Sequence, residues 1–511
     1  MRLGVFVVNF SSGDSRDGLF AGAADLAAAS AALLHNLLGH VEQLVGDAVV
    51  DANRVARECS ELWDLAADRA SDLARTCSVT PRFARITGTL LRIIAEYRWH
   101  FAISRPRTEL LGDAADAAAL AALHERSAER LYALCVELRG AVLKLGQFVS
   151  SRVDLLPDAY IAALGRLQDR VPPVPAAAIR ACLDAELGAS AQTIFSRFDD
   201  EPIAAASLAQ VHAAQLADGT PVAVKVQVPG IEEIVETDLA ALRLVAPALR
   251  DLLPYLDIET IAAELTRTLR AELDYEAEAA HAAVFARNCA ADPDLVIPHV
   301  HAELSSRRIL VLEHVAGERL IDYLDACEGR GEAGARDRDR LFEILIRGFC
   351  AQVLQHGLLH ADPHPGNFLV LPGEQGPRLV LLDFGCVQEY APERRRAYAE
   401  LALAVLAGDA QRMGAAFDAM GFRSRDGGSE TLRAFADLIL EAFRTDAAFA
   451  TLDIDAPAAF ERVLHLTRSN PIVAIPADFV LLGRVFTVLG GLLMRYRPRV
   501  NLFQLLMAHL S

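Results

Sequence analysis

Apolar residues recur at three- and four-residue spacing over residues 18–104 and again over 126–152. This spacing puts apolar side chains on one face of a helix, so both stretches are predicted to be helical. The run Val-Pro-Pro-Val-Pro at 171–175 ends the second pattern and marks a boundary. Helix and loop are expected from there to about residue 200.

The spacing changes to two after that boundary. Residues 209–216 are predicted to form a strand, 218–221 (Asp-Gly-Thr-Pro) a turn, and 222–228 a second strand in which valines alternate with other residues. Successive side chains of a strand point to opposite faces, so Lys225 is expected on the face opposite the valine row.

Helical and strand patterns alternate further along the chain. Helices are predicted at 258–288, 339–358 and 391–511, with a loop rich in glycine, alanine and charge at 328–338. Strands are predicted near 295–298, 308–315, 368–371 and 378–384. The strands lie between two helical regions, which predicts an α+β protein with a small β-rich lobe and a large helical lobe.

The charge and the cysteines narrow the class of protein. The 511-residue chain has a formal net charge of −18, which argues against nucleic-acid binding. Its eight cysteines include no Cys-x-x-Cys pair, which favours a reducing compartment. No signal peptide is predicted, because the N-terminal apolar run is short and lacks a clear cleavage site. No transmembrane helix is predicted, because Arg484 interrupts the apolar run at 478–494. Arginines and aromatic residues at 81–107 leave open a contact with an anionic membrane surface.

Lysine occurs at two positions, Lys144 and Lys225, and all other Lys/Arg positions are arginine. Arginine is a planar fork, whereas lysine is a compact point charge on a flexible stem. We therefore interpret both lysines as sites that need a point charge, either against phosphate or in a tight buried ion pair.

The candidate chemistry lies in His-Ala-Asp-Pro-His-Pro-Gly-Asn at 360–367 and Asp-Phe-Gly at 383–385. Kinase-type phosphotransfer needs an aspartate beside the acceptor oxygen, an asparagine on the metal, and an aspartate between metal and phosphates. Asp362, Asn367 and Asp383 occur in that order, and a predicted hairpin brings the last two together. We assign Asp362 as catalytic, and Asn367 and Asp383 as ligands of Mg²⁺ bound with ATP or ADP.

Lys225 is the second candidate catalytic residue, because a strand lysine in such sites reaches the α- and β-phosphates and pairs with a helical glutamate. Helical spacing does not choose that partner among Glu272, Asp274, Glu276 and Glu278. The expected phosphate loop has alanines where glycines are usual, and its residues are Ala204, Ala205, Ala206 and Ser207. Alanine excludes the positive φ angles that glycine allows, so a stiff loop is expected. Glu313 ends a strand at a predicted hinge, where backbone groups bind adenine.

These segments resemble the ABC1/ADCK/UbiB family of atypical kinases over about residues 107–400. Lys-Leu-Gly-Gln at 144–147 is similar to the family's K-x-G-Q signature, and 204–207 to its alanine-rich loop. Glu-Leu-Asp at 272–274 is similar to its E-x-D element, and 360–367 to its catalytic loop.

The resemblance implies a two-lobed protein-kinase-like fold with an N-terminal helical extension that folds over the active site. The regulatory residues it implies belong to the K-x-G-Q and E-x-D elements: Lys144, Gln147, Glu272 and Asp274. By the same likeness Lys144 pairs with the E-x-D element, and Glu278 pairs with Lys225. Ala209 departs from the family pattern, in which glycine is usual, and is expected to stiffen the loop further.

Members of this family support the biosynthesis of ubiquinone or other isoprenoid lipids, and they are more similar to ATPases or small-molecule kinases than to protein kinases. We therefore expect ATP-dependent phosphotransfer or ATP hydrolysis without a protein acceptor. Ala361 stands where protein kinases have arginine, and no peptide-docking segment fits between Asp383 and residue 391. The expected partners are a nucleotide, an isoprenoid or quinone lipid, an anionic membrane and quinone-biosynthesis enzymes. The expected location is cytoplasmic, with peripheral attachment to the inner membrane left open.

Two alternatives remain open. One is a catalytically silent, nucleotide-binding scaffold for quinone-pathway enzymes, which the alanine loop and the occluding Lys144 segment favour. The other is a small-molecule kinase of the aminoglycoside or choline kinase type, which shares the H-x-D-x-x-x-x-N loop but lacks the segment at 144–147. Four regions are predicted. Residues 1–106 form an N-terminal helical region of unassigned role, and 107–200 a helical extension that contains the K-x-G-Q element. Residues 201–315 form a kinase-like N-lobe, and 316–511 a C-lobe with a helical C-terminal extension.

Overall fold

The computed structural model describes residues 80–111, 113–150, 156–168, 173–188, 191–252, 258–425, 427, 430–434, 443–452, 466, 470, 472–474 and 476–510. The helices predicted before residue 80 therefore lie outside the described residues. The chain divides into two compact units. The first comprises Met1–Val174, Ala205–Ala209 and Val228–Arg270, and the second comprises Pro175–Ala204, Gln210–Gln227 and Ala271–Ser511.

The described part of the first unit is helical. Its helices are α1 (Thr80–Leu111), α2 (Asp113–Leu138), α3 (Gly140–Ser150), α4 (Asp158–Gly165), α7 (Ile231–Leu252) and α8 (Ile258–Ala271). Phe83 and Ile86 of α1 pack with Leu134 of α2, Leu164 of α4 and Ala241 of α7, all nearly inaccessible to solvent. This buried cluster holds the helices of the unit together.

A break between α2 and α3 separates the Lys144 segment from the helix before it. Arg139 and Gly140 both have positive φ angles, 55° and 60°, a conformation that interrupts an α-helix. The prediction of one helix over 126–152 is therefore wrong at this point. The apolar spacing continues across the break and gives no sign of it.

A buried ion pair holds this break in place. Arg82 on α1 donates to both carboxylate oxygens of Asp238 on α7, at 2.6 and 2.7 Å. Arg82 also donates to the carbonyl oxygens of Leu138 and Arg139, at 2.6 and 3.0 Å. The Asp238 carboxylate accepts the Val142 N–H at 3.2 Å. One ion pair therefore satisfies backbone groups at the end of α2 and at the start of α3.

The strands and the remaining described helices belong mainly to the second unit. The strands are β1 (Phe195–Ala205), β2 (Ala209–Leu216), β3 (Pro221–Gln227), β4 (Leu295–Val296), β5 (Ile309–Glu313), β6 (Glu318–Arg319), β7 (Leu358–His360), β8 (Phe368–Leu371), β9 (Arg378–Leu381), β10 (Val387–Glu389), β11 (Arg423–Ser424) and β12 (Ile472–Ala474). The helices are α5 (Ala176–Leu187), α6 (Ala191–Ile194), α9 (Tyr275–Asn288), α10 (Leu320–Cys327), α11 (Gly331–Ala351), α12 (Pro392–Leu406), α13 (Ala410–Met420), α14 (Ala477–Tyr496) and α15 (Leu502–Leu510).

A four-stranded sheet with the order β1-β2-β3-β5 carries Lys225. Strands β3 and β5 are antiparallel, and Lys225 lies opposite Leu310. Val222, Val224 and Val226 have no solvent exposure, whereas Lys225 projects from the other face. The two predicted strands at 209–216 and 222–228 are thus confirmed, although β3 ends one residue earlier.

A second sheet with the order β4-β9-β8-β6 brings two motif residues together. Strands β8 and β9 are antiparallel, with Phe368 opposite Leu381, and the Leu382 N–H donates to the Asn367 carbonyl at 2.8 Å. Because Asn367 precedes β8 and Asp383 follows β9, the hairpin juxtaposes them, as the sequence predicted.

The core of the second unit is formed by α11 to α15 against the second sheet, with Phe342, Phe368, Phe417 and Leu489 among its buried side chains. The predicted loop at 328–338 is wrong, because α11 begins at Gly331. The single helix predicted over 258–288 is divided into α8 and α9. The described part of 391–511 is mainly helical, as expected, but it also contains the β11–β12 pair. Among the described helices, none combines the length and apolar content that crossing a bilayer requires.

Candidate active site

An ion pair between β3 and α9 forms the centre of the candidate site. The Lys225 Nζ donates to both oxygens of Glu278, at 2.8 and 2.9 Å, and lies 5.0 Å from the centre of the Tyr275 ring. The Glu278 side chain is 1% exposed. Of the four carboxylates that the sequence left open, Glu278 is therefore the one on Lys225. Asp274 instead caps α9, where it accepts the Ala277 N–H.

The charges of this pair depend on each other. Burial alone would lower the pKa of Lys225, but the carboxylates of Asp383 and Glu278 outweigh it and hold that pKa well above its usual value. Burial raises the pKa of Glu278, and Lys225 and the backbone of Phe384 oppose that rise. Lys225 is therefore a firmly charged ammonium group whose position is fixed by a buried carboxylate.

Asp383 lies beside this pair at the end of the β8–β9 hairpin. Its Oδ2 is 3.5 Å from the Lys225 Nζ, and its Oδ1 accepts the Gly385 N–H at 3.2 Å. Its φ is 57°, in the left-handed region where non-glycine residues are uncommon. The buried His360 donates through Nε2 to the Asp383 carbonyl at 2.7 Å. His360 thus holds this turn in place.

Asp362 is held by two side chains. Arg484 on α14 donates to Oδ1 at 2.7 Å. Asn367 donates through Nδ2 to Oδ2 at 3.2 Å and to the Asp362 carbonyl at 3.0 Å. These bonds use the amide nitrogen of Asn367, so its carbonyl oxygen is the atom that can face a cation.

Backbone hydrogen bonds place the segments of Asp362 and Asp383 side by side in the second unit. The Ala361 N–H donates to the Cys386 carbonyl at 3.0 Å, and the Leu382 N–H donates to the Asn367 carbonyl at 2.8 Å. Lys225 joins these segments through its contact with Asp383. Burial raises the pKa of the nearby Cys386 thiol to about 12, and the negative charge of Asp362 acts in the same direction.

The oxygen donors present suit Mg²⁺. The carbonyl oxygen of Asn367 and the carboxylate of Asp383 are hard ligands, and Mg²⁺ is commonly held by one or two such groups together with phosphate oxygens and water. Asp383 is half exposed, with 46% of its side chain accessible, so a cation could reach its carboxylate from solvent. The residues therefore fit a Mg²⁺–nucleotide.

The alanine-rich loop is a tight hairpin turn. Strand β1 ends at Ala205 and β2 begins at Ala209. The Ala206 N–H donates to the Ala209 carbonyl at 2.8 Å, so it is not among the amides that could bind phosphate. Within the described part of the chain, positive φ at non-glycine residues occurs at Arg139, Asp383 and Arg497, none of them in this loop. The stiffness expected of this loop stays a prediction.

A family model described as the ABC1 atypical kinase-like domain matches residues 166–417. That range contains Lys225, Glu278, Asp362 and Asp383. The chain is also 33% identical over 394 residues to the Arabidopsis thaliana chloroplast protein named ACTIVITY OF BC1 COMPLEX KINASE 8.

The chain belongs to the ABC1 atypical kinase-like family. The match to the Arabidopsis relative covers 71% of this chain and 51% of that protein, so it spans about half of the relative's length. A protein of Marinobacter nauticus named Probable protein kinase UbiB is 37% identical over 269 residues, which cover 52% of this chain and 48% of that protein.

A solved structure supports the fold of this ABC1-family chain. The complex of Rv3197 with erythromycin from Mycobacterium tuberculosis is 28% identical, with a TM-score of 0.54, and the match covers 76% of this chain and 96% of that one. The predicted α+β, kinase-like fold class and the family resemblance are thus confirmed. Several relatives in the family are named kinases, which supports assigning this chain to the broad class of phosphotransferases.

Other predicted site residues have local contacts that the sequence did not indicate. Gln147 donates through Nε2 to the Leu167 carbonyl at 2.9 Å, within the first unit. Glu313 accepts the His299 N–H at 3.2 Å. Lys144 lies in the first unit and Glu272 in the second, so their pairing stays a prediction, as do the roles assigned to Ala204, Ala205, Ala206 and Ser207.

Arg484 is the residue that the sequence analysis missed as part of the site. Its charge interrupts the apolar run at 478–494, but nothing near it in the sequence points to Asp362. The available signal was a single arginine within the apolar run 479–494, because a charge among apolar residues needs a partner.

Proposed function

We propose that this chain binds Mg²⁺–ATP or Mg²⁺–ADP and acts as an atypical kinase or ATPase that supports the biosynthesis of ubiquinone or another isoprenoid lipid. The observation that carries the proposal is the Lys225–Glu278 ion pair with Asp383 at 3.5 Å from the same ammonium group. Phosphotransfer sites of the kinase type place a lysine, its glutamate and a metal-binding aspartate in this relation.

Each residue has a distinct task in this proposal. Lys225 binds the α- and β-phosphates, and Glu278 keeps its ammonium group in position. Asn367 and Asp383 would hold Mg²⁺, which when bound neutralises charge that develops on the phosphate oxygens. Asp362 orients the oxygen of the acceptor, either a small molecule or water, and accepts its proton.

The segment after Asp383 favours an acceptor that is not a protein. Strand β10 begins at Val387 and pairs with β7, and α12 begins at Pro392. This leaves no segment on which a peptide could dock. Ala361, next to the proposed catalytic aspartate, is fully buried and offers no charge to a phosphorylated loop.

A thermal-shift experiment tests nucleotide binding. Mg²⁺–ATP and Mg²⁺–ADP at a hundred times their Kd should stabilise the chain by about 2.7 kcal/mol, and EDTA should remove most of the effect. Asp383→Asn and Lys225→Met should abolish the stabilisation. Asp322→Asn, at an exposed ion pair with Arg319, is the matched control and should respond as the wild type does. A wild-type chain without a Mg²⁺-dependent response would contradict the proposal.

A second experiment separates an enzyme from a silent scaffold. The hydrogen bond between Ala206 and Ala209 removes one amide from the phosphate loop, and this favours weak or unproductive nucleotide binding. ATP hydrolysis is measured with and without anionic liposomes, and quinone levels are measured in a strain that lacks the gene. Turnover that Asp383→Asn abolishes supports the enzyme. Binding without turnover in both conditions supports the scaffold.

A further inference from the structure

Arg484 is a charged residue on a helix whose neighbouring positions are buried in the core. Helix α14 buries Phe479, Leu482, Val485 and Leu489 in the core of the second unit. Arg484 lies between these positions in the sequence but outside the core: its side chain is 36% exposed, and its guanidinium donates to Asp362. The helix is therefore anchored on one side by its core contacts, and it presents a fixed cation to the candidate site on another.

The contact with Arg484 gives the Asp362 carboxylate a hydrogen-bond donor and neutralises its charge. Arg484 donates a hydrogen bond to Oδ1 of Asp362 at 2.7 Å, and Asn367 donates through its amide nitrogen to Oδ2. Each carboxylate oxygen has two acceptor directions, so Asp362 keeps room for an acceptor hydroxyl or water. Its net charge, however, is cancelled by the guanidinium at hydrogen-bond distance.

This cancellation matters because a second carboxylate, that of Asp383, lies on the neighbouring segment. A free Asp362 beside Asn367 and Asp383 would create a site of two carboxylates and an amide, which could capture a divalent cation before the nucleotide arrives. Mg²⁺ held on Asp362 would block the oxygen atoms that orient the acceptor.

We propose that Arg484 is a positioning residue for the proposed phosphotransfer, which fixes the Asp362 carboxylate and reserves the divalent cation for Asn367, Asp383 and the nucleotide. The proposal rests on the proposed function of this site. It assigns a task to the C-terminal helix α14, which lies outside the family-matched residues 166–417.

The test compares Arg484→Met and Arg484→Lys with Arg495→Met in the full chain. Arg495 is about three turns further along α14, and its ion pair with Asp325 at 2.9 Å is exposed, so it controls for losing an arginine from this helix. Mn²⁺ affinity without nucleotide is measured by electron paramagnetic resonance, and ATP turnover is measured in parallel.

We expect Arg484→Met to raise the nucleotide-free Mn²⁺ affinity by about three- to tenfold, the effect of one uncancelled charge near a divalent ion in a wet cleft. Turnover should fall by at least about tenfold, as expected when a reacting oxygen is no longer oriented. Arg484→Lys keeps the charge and should leave Mn²⁺ affinity close to that of the wild type. Arg495→Met should change neither quantity.

The Asp362→Asn background distinguishes positioning from a general structural role. If Arg484 acts on turnover through Asp362, Arg484→Met should not lower the residual turnover further in that background. An unchanged Mn²⁺ affinity in a folded Arg484→Met chain, or an equal fold-loss of turnover in both backgrounds, would overturn the proposal. A wild-type chain that binds Mn²⁺–nucleotide without turnover would refute the enzymatic function alone, and the Mn²⁺ measurements would still decide the role of Arg484.

Discussion

Replacing Arg82 by methionine should destabilise the first unit in a way that depends on pH. The substitution keeps most of the apolar stem of the side chain, but it removes the cation from Asp238, whose side chain is 1% exposed. It also leaves the carbonyl oxygens of Leu138 and Arg139 without their donor. Asp238 would then be a buried carboxylate whose remaining bonds are to backbone N–H groups of α3.

The magnitude follows from the protonation of Asp238. Breaking a buried ion pair by removing one partner costs about 3–5 kcal/mol. The cost of burying the unpaired Asp238 charge has an upper limit, because Asp238 can take up a proton instead. Protonating an ordinary aspartate at pH 7 costs about 4 kcal/mol. Even with Arg82 present, burial raises the pKa of Asp238 above its ordinary value. We therefore expect a loss of about 3–4 kcal/mol at pH 7.

The sign of the pH dependence distinguishes this cause from lost packing. In the variant, the folded-state pKa of Asp238 lies far above its unfolded value, so stability is lost as pH rises from about 4 upward. Each pH unit changes the cost by about 1.4 kcal/mol. The difference between wild type and variant should therefore shrink by about 2–3 kcal/mol between pH 7 and pH 5.

Urea unfolding of the full chain at both pH values measures these differences, followed by the tryptophan fluorescence to which Trp99 on α1 contributes. The control is Arg85→Met on the same helix, because Arg85 pairs with Glu137 on the surface, with exposures of 58% and 49%. That control should cost less than about 1 kcal/mol. A cost for Arg82→Met that is equal at the two pH values, or no larger than the control's, would refute the reasoning.

Three further predictions concern single residues. Gly146→Ala should destabilise by about 1–3 kcal/mol in urea unfolding, because its Cβ would lie 2.6 Å from a Leu167 methyl, whereas Gly88→Ala meets nothing within 4 Å and should be neutral or stabilising; equal effects would contradict this. Cys386, whose pKa burial raises to about 12, should react with iodoacetamide at pH 8 at least about a hundredfold more slowly in the folded chain than in urea, as mass spectrometry of its peptide can show. Burial would raise the pKa of Glu96, but Arg130 and Arg92 lower it below its usual value, so Glu96→Gln should cost under about 1 kcal/mol at pH 7 and nothing at pH 3; a loss that persists at pH 3 would contradict the sign.

The strands around Lys225 illustrate what patterning predicts well. The alternation of valine with smaller or polar residues is a local property, and the buried face of β3 follows it residue by residue. The order of the catalytic-loop and Asp-Phe-Gly motifs, with a hairpin between them, likewise predicted that Asn367 and Asp383 would meet.

The wrong predictions have a common physical origin. The break at Arg139 depends on Arg82 and Asp238, which lie far away in sequence, so the apolar spacing could not reveal it. Gly334 is typical of a loop in the sequence, but in the structure it lies within α11. The helix passes so close to the Cys327 carbonyl there that a Cβ would clash with it. Glycine is required there by packing within a helix rather than by a turn.

Residue types and their local order were enough to predict which side chains could act on phosphate and metal: Lys225, a motif aspartate and asparagine, and the aspartate of Asp-Phe-Gly. The tertiary structure decided which of four carboxylates holds Lys225, and it brought Arg484 to Asp362 across 122 positions of the sequence. Patterning reports the environment of neighbours along the chain, whereas an ion pair requires the charges to be close in space, and only the packing of the helices and sheets brings distant residues into contact.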